Sequence, residues 1–195
     1  MTSRERVERV LNHRLPDRIP LDLGGTPVTG MHVSAVYMLR QALGLDLPGT
    51  PVRVMELLQM LGEIKPDLIE ALGADVVPLQ SPMTRLGFPN EGWKPWTLFD
   101  GTPVLVPAGF NTEPEADGSI VLYPQADRSV PASVRMPKGG FYFDNIIRQG
   151  PLDEARLNPE DNLEEFQAVT EAELAYFRRE AERLHTETDK AIVAN

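Results

Sequence analysis

Apolar positions in the first 13 residues recur at helical spacing. Val7, Val10 and Leu11 form a stripe, and Thr2 with Glu5 has the spacing of a capping box, so residues 2–13 are predicted to be a helix that Pro16 ends. The run RIPLDL (18–23) then reads as a strand, with Pro20 near its beginning because proline cannot donate to a central ladder. A glycine-rich turn follows. HVSAVYMLRQALGL places Val36, Leu39 and Leu43 on one helical face and stops at Gly44. In VRVMELLQMLGE, Val54, Leu57, Leu58 and Leu61 also recur at helical spacing, so a further helix is predicted there. Pro66 opens a short helix with Leu68 and Leu72 inward and Gly73 at its close, and ADVVPL (74–79) is a second buried strand.

Residues 81–145 have almost no helical periodicity. WTLFDGTPVLVP sets Asp100-Gly101 between two β-prone runs, and EADGSIVLYP repeats the device at Asp117-Gly118, which predicts an antiparallel meander of about three or four strands. The helical pattern resumes with a second capping box at Thr170 and Glu173, followed by Leu174, Phe177, Ala181 and Leu184 on one face. KAIVAN begins a third strand. Strands separated by helical crossovers imply a parallel sheet. A buried parallel strand is normally followed by a turn and a covering helix, so the pattern reads as the first part of a longer structure. Three stretches are expected: residues 1–80 with the first two β/α units, 81–150 as an inserted β-hairpin subdomain, and 151–195 as the return to helix and third strand.

Composition narrows the function classes. The 195 residues hold 42% hydrophobic and 25% charged residues, an ordinary globular balance, and no cysteine, which removes disulfides and cysteine-ligated zinc from this stretch. Of the net charge of −10, most sits between Asp153 and Asp189, where 12 acidic residues face 4 arginines. Such a surface repels phosphate backbones and argues against nucleic-acid binding. No apolar run reaches the ~18 residues of a membrane span, and the charged start MTSRERVERVLNH lacks the apolar core of a secretory signal. A soluble, cytoplasmic protein is expected.

SRERVERVLNHRLPDRIPLDLGG resembles the opening of the uroporphyrinogen decarboxylase superfamily, nearer its methyltransferase-like branch, and the order of elements through LGADVVPL and KAIVAN is similar over residues 1–80 and roughly 160–195. The resemblance implies an α/β fold: a partial (β/α)8 TIM barrel, its first strands and helices carrying the meander as an insertion. Its active site would lie at the C-terminal ends of the strands, with the loop after RIPLDL on the rim. For the whole protein it implies methyl transfer with a corrinoid and a zinc-activated thiol, the zinc ligands lying beyond residue 195. A tetrapyrrole or corrinoid-protein ligand and a homodimer are compatible with it. The alternatives are uroporphyrinogen decarboxylation and a non-catalytic fragment or binding module. Two departures weigh against decarboxylation. The decarboxylases carry an arginine-rich segment after the first strand, where this chain has GGTPVTGMHVS; Arg40-Gln41 is only a partial echo, inside a helix. They also place an aspartate after the second strand, where this chain has Gln80 and Ser81.

Candidate catalytic residues are Asp22, near the end of the first strand, and His32, just past the rim turn. The first alternatively caps the turn's amides and the second alternatively sits at a helix start. Candidate substrate contacts are Gly24, Gly25, Thr26, Gln80 and Ser81; no metal ligand is assigned within the chain. As a phosphate loop the glycines lack both G-x-G-x-x-G and G-x-x-x-x-G-K-[ST] spacing. Trp93, Trp96, Phe141 and Tyr142 either roof a flat macrocycle or form the insertion's own core, and Lys138 is a carboxylate contact or part of a simple turn. His13 and His185 read as helix-end and surface residues.

Overall fold

The computed structural model describes residues 1–148, Asn158 and 169–194. Most of the acidic stretch between 153 and 168 therefore lies outside the described residues. Helix α1 (Ser3–Leu11) starts as its capping box dictates: the Glu5 amide donates to Thr2 Oγ1 at 3.2 Å and the Thr2 amide to Glu5 Oε2 at 2.9 Å. Helix α2 (Val33–Ala42) buries Val33 and Val36. Helix α3 (Pro66–Leu72) begins on its proline and ends at Gly73 in the left-handed region, φ 67°. Helix α4 (Glu171–Glu187) carries the second capping box at Thr170 and Glu173.

Among the described residues the strands form three separate, open sheets. Strands β1 (Val52–Glu56), β2 (Leu61–Gly62), β4 (Lys94–Thr97) and β5 (Pro103–Val106) make one in the order β2-β1-β5-β4, where β1 and β5 run parallel and the other pairs antiparallel. Strands β3 (Val76–Leu79) and β10 (Ala191–Ala194) pair in parallel as a second sheet. Strands β6 (Thr112–Pro114), β7 (Ile120–Leu122), β8 (Val134–Met136) and β9 (Asp144–Asn145) form a four-stranded antiparallel meander. The Asp-Gly pairs at 100–101 and 117–118 lie in the β4–β5 and β6–β7 turns.

This architecture corrects the expected barrel. Among the described residues the fold is mixed α/β, with antiparallel pairing in two of three sheets, none of which closes on itself, and there is no (β/α)8 pattern. Two local causes account for much of the difference. Residues 18–23 are not a strand, because the segment is held by one aspartate rather than by a ladder. The Leu21 amide donates to Asp75 Oδ2 at 2.8 Å, the Asp75 amide donates to the Leu21 carbonyl at 2.7 Å, and Asp22 turns its carboxylate onto the following loop. Residues 52–63 are not a helix either. Val52 and Val54 are buried on either side of exposed Arg53, a period of two that suits β-branched residues on a sheet. The Glu56 carboxylate then accepts from the Leu58 and Gln59 amides, and Met60 adopts φ 52°, so the chain folds back as β2 instead of winding on.

One apolar cluster joins α2, β1, β5 and the meander through Val36, Val54, Val104, Leu122, Val134 and Met136, with Trp96 packed against it. Trp96 meets Phe110 edge-on at 5.1 Å between ring centroids, and Phe110 meets Phe143 at 6.1 Å. A smaller cluster of Ile69, Ala74 and Val77 gathers Leu23, Ile64, Leu184 and Ile192 beneath β3 and β10. The apolar stripe expected on α1 stays largely uncovered, with Leu11 75% exposed; its buried residues are Ser3 and Arg6. Arg6 explains this. Its guanidinium donates to Asp75 at 2.6 Å and to Asp17 at 2.6 and 2.9 Å, so α1 is held by ion pairs. Arg18 completes the group with bonds of 2.7 and 2.9 Å to Asp75, whose side chain is fully buried. Among the described residues, no helix is long and apolar enough to cross a membrane.

Candidate functional site

The loop after residue 21 is built to approach its neighbours closely. Asp22 Oδ1 accepts from the Gly25 amide at 2.9 Å, and the Gly24 amide donates to the Thr29 carbonyl at 2.9 Å. Thr26 and Thr29 bond reciprocally across a single 3₁₀ turn, Pro27–Thr29. Gly24 sits at φ 78°, and a Cβ there would lie 2.6 Å from Ile64 Cγ1, so only glycine fits both the turn and the contact.

Beside this loop lies a cavity of about 230 Å³, just under the ~300–1,000 Å³ of ordinary small-molecule sites. Its walls are the loop itself, the turn between β1 and β2, the C-terminal end of β3 with the two residues after it, and the segment from Met83 to Asn90. That last segment is pinned by its own bonds: Thr84 Oγ1 donates to the Phe88 carbonyl at 2.9 Å, and the Asn90 amide donates to the Pro82 carbonyl at 2.8 Å.

The structure brings five of the seven expected site residues together. Gly24, Gly25, Thr26, Gln80 and Ser81 all line the cavity, although they come from segments more than fifty residues apart in sequence. Ser81 Oγ accepts from the Met83 amide at 3.1 Å, while the Gln80 side chain makes no hydrogen bond among the described residues. Asp22 and His32 do not line it. Asp22 spends its carboxylate on the Gly25 amide. His32 is the N-cap of α2: its Nδ1 accepts from the Ser34 amide at 3.2 Å, which places the ring proton on Nε2, donated to the Phe141 carbonyl at 2.8 Å. The Phe141 ring meets the imidazole edge-on at 5.6 Å. Ser34 in turn donates to Asp100 at 2.7 Å. Burial would raise the Asp100 carboxyl, but bonds from Ser34 and Thr102, with His32 nearby, hold it below the ordinary aspartate value.

The other residues considered from sequence serve structure. Arg40, 1% exposed, donates to Asp46 and Asp67 through four bonds of 2.5–3.1 Å and does not line the cavity. Trp93 lies under the Arg53 guanidinium at 5.1 Å, and His185 contacts Arg4 at 3.4 Å. Lys138 packs its stem against Gly118.

Sequence reasoning missed Glu63, Arg85 and Asn90, which also line the cavity. Glu63 falls at the end of a run with helical spacing, and Asn90 follows Pro89 in what reads as an ordinary turn, so no spacing marks either one. Arg85 is exposed and makes no hydrogen bond or ion pair among the described residues. Glu63 Oε1 has Arg53 at 3.7 Å, whereas its Oε2 and Asn90 Oδ1 are shielded from solvent and accept no hydrogen bond there.

For a metal, the described residues supply no group of three His, Asp or Glu side chains, and the chain has no cysteine; these residues do not fit a zinc site. Compared with protein-family profiles, curated proteins and solved structures, the chain matches none.

Proposed function

We propose that this chain is the N-terminal portion of a cytoplasmic protein of the uroporphyrinogen decarboxylase superfamily, of the methyltransferase-like branch. Its cleft holds the small substrate of a corrinoid-linked, zinc-dependent methyl transfer carried out by the whole protein. The observation that carries this reading is convergence. The loop after PDRIPLDL and the Gln80–Ser81 end of LGADVVPL, the two segments the resemblance points to as site, line one cavity. The cavity, of about 230 Å³, lies near the lower end of small-molecule sites. The loop also lacks the arginines that several carboxylates would require. The described residues supply no zinc ligand set. What they do is shape the cleft and orient: Gly24 and Gly25 let the loop pack closely against Ile64, Asp22 and Val76, and the Gln80 amide offers both a donor and an acceptor.

One observation favours a second reading, decarboxylation of a uroporphyrinogen-like substrate: Arg85 lines the cavity without a carboxylate partner among the described residues. The protein encoded by the complete reading frame separates the two. Zinc-dependent demethylation of methylcobalamin by a thiol, followed in the visible spectrum, supports the first reading. Release of CO2 from uroporphyrinogen without demethylation replaces it with the second, and neither activity rejects both. In the reading frame itself, a His-x-Cys pair followed by a distant Cys beyond Asn195 is expected; its absence contradicts methyl transfer.

A further inference from the structure

Among the described residues, every hydrogen bond made by residues 24–30 stays within residues 22–30. The Gly24 amide donates to the Thr29 carbonyl at 2.9 Å, which closes the neck of the loop. The Thr26 amide donates to Thr29 Oγ1 at 3.3 Å, and the Thr29 and Gly30 amides donate to the Thr26 and Pro27 carbonyls, each at 3.2 Å. Residues 24–30 are therefore one self-bonded unit. The chain on either side of it is pinned to the body. Leu21 exchanges bonds of 2.7 and 2.8 Å with Asp75, and Leu23 packs into the smaller apolar cluster. On the other side, the Met31 carbonyl accepts from the Gly62 amide at 2.9 Å, and the Val33 amide donates to the Met60 carbonyl at 2.8 Å. Glycine stands at both ends of the unit. Gly24 faces Ile64 and Gly30 faces Leu61, so the unit meets the body there through apolar contacts and no hydrogen bond. A hinge needs residues that absorb a change of backbone angles, and glycine absorbs it at no steric cost.

We propose that residues 24–30 are a lid, hinged at Gly24 and Gly30, whose Pro27–Val28 tip swings over the cleft and shuts it from solvent. The tip is apolar and held in water: Val28 is 92% exposed, next to Pro27, which lines the cleft. The cleft it rims has Met55, Leu57, Leu58 and Leu79 among its walls, so closure removes apolar surface from water on both sides. One hydrogen bond crosses a hinge, from the Gly25 amide to Asp22 Oδ1 at 2.9 Å. Asp22 is thus the latch of the open position, a positioning residue outside the cavity. The lid rests on the cleft being a ligand site, and it adds how that site opens and shuts.

Relaxation-dispersion NMR on the chain, with no ligand added, tests the motion. The amides of Gly24, Gly25, Thr26, Thr29 and Gly30 are expected to share one exchange process on the microsecond-to-millisecond scale of lids, while those of Leu21 and Gly62 stay flat. Flat profiles across 24–30, or a different rate at each residue, overturn the lid. Asp22→Ala is expected to change the shared rate by about threefold or more, and Asp22→Asn, which keeps an accepting oxygen, to restore it. No change in Asp22→Ala overturns the latch. The direction of closure is read by a disulfide. The chain has no cysteine, so Val28→Cys with Met83→Cys, both at exposed positions and the second on the cleft wall, can form a single bridge. Its oxidation is expected to run about tenfold faster than that of Val28→Cys with Leu47→Cys, an exposed position outside the cavity, because a bridge needs the two Cα atoms to come within about 7 Å. Equal rates overturn closure over the cleft. Neither readout depends on catalysis, so the methyl-transfer and CO2-release assays remain separate tests of the function.

Discussion

Asp75 ties the N-terminal helix and residues 16–21 to the start of β3, and its replacement measures how much of the site's frame depends on one carboxylate. The side chain is fully buried and accepts from Arg6 Nη1 at 2.6 Å, Arg18 Nη1 at 2.7 Å, Arg18 Nη2 at 2.9 Å and the Leu21 amide at 2.8 Å. Asp75→Asn keeps the size but removes the charge and turns an N–H toward a donor. Breaking a buried ion pair costs about 3–5 kcal/mol. Arg18 is 45% exposed and adds no more than the ~0–1 kcal/mol of a surface pair, and Arg6 retains Asp17, so the lower end applies: about 3 kcal/mol. Urea denaturation at pH 7 should show a lower midpoint with an unchanged slope. Acid should narrow the gap. Burial raises the Asp75 carboxyl, but bonds from the Leu21 amide, Arg18, Ser3 and Arg6 outweigh it and hold the group below its ordinary value of 3.8. Its stabilisation is therefore complete above about pH 5 and is lost as pH falls through the lowered native value. A loss under 1 kcal/mol at pH 7, or a gap that stays constant from pH 7 to pH 2, refutes the reasoning.

Arg40→Met strands the Asp46 and Asp67 carboxylates, one 12% and the other 44% exposed, and should cost about 2–4 kcal/mol in the same denaturation assay. Gly24→Ala forces a side chain into φ 78° against Ile64 and should cost more than about 1 kcal/mol in the same denaturation assay. His32→Ala removes a cap outside the cavity; it should cost about 1 kcal/mol in that assay and leave the zinc-dependent demethylation by the whole protein unchanged, whereas a loss of that activity would return His32 to the site.

Local chemistry was the legible part of this sequence. Thr2–Glu5, Thr170–Glu173, Pro66 and Gly73 mark helix ends because each satisfies backbone groups within a few residues of itself. The two Asp-Gly pairs mark hairpins for the same reason. What failed was long-range. Val54, Leu57, Leu58 and Leu61 have helical spacing, yet Glu56 caps the Leu58 and Gln59 amides, and the pairing of β1 with β5, some fifty residues downstream, decides the matter in favour of a strand. RIPLDL looks like a strand, but its partner is a single buried aspartate. The site divides in the same way. Gly24, Gly25, Thr26, Gln80 and Ser81 were legible as loops that follow apolar runs. Glu63, Arg85 and Asn90 were not, because only the folded chain brings them to the same cavity as residues 24–26 and 80–81.

The most direct test is a backbone-amide NMR map of the chain titrated with 2-mercaptoethanol, a small thiol of the class the proposed methyl transfer uses. Saturable shifts concentrated at Gly24, Gly25, Gly30, Gly62, Gln80 and Ser81 are predicted, since these residues from separate segments share one cavity. Shifts centred on His32 and Phe141, or no saturable shifts at all, contradict a binding cleft between the loop, the β1–β2 turn and the end of β3.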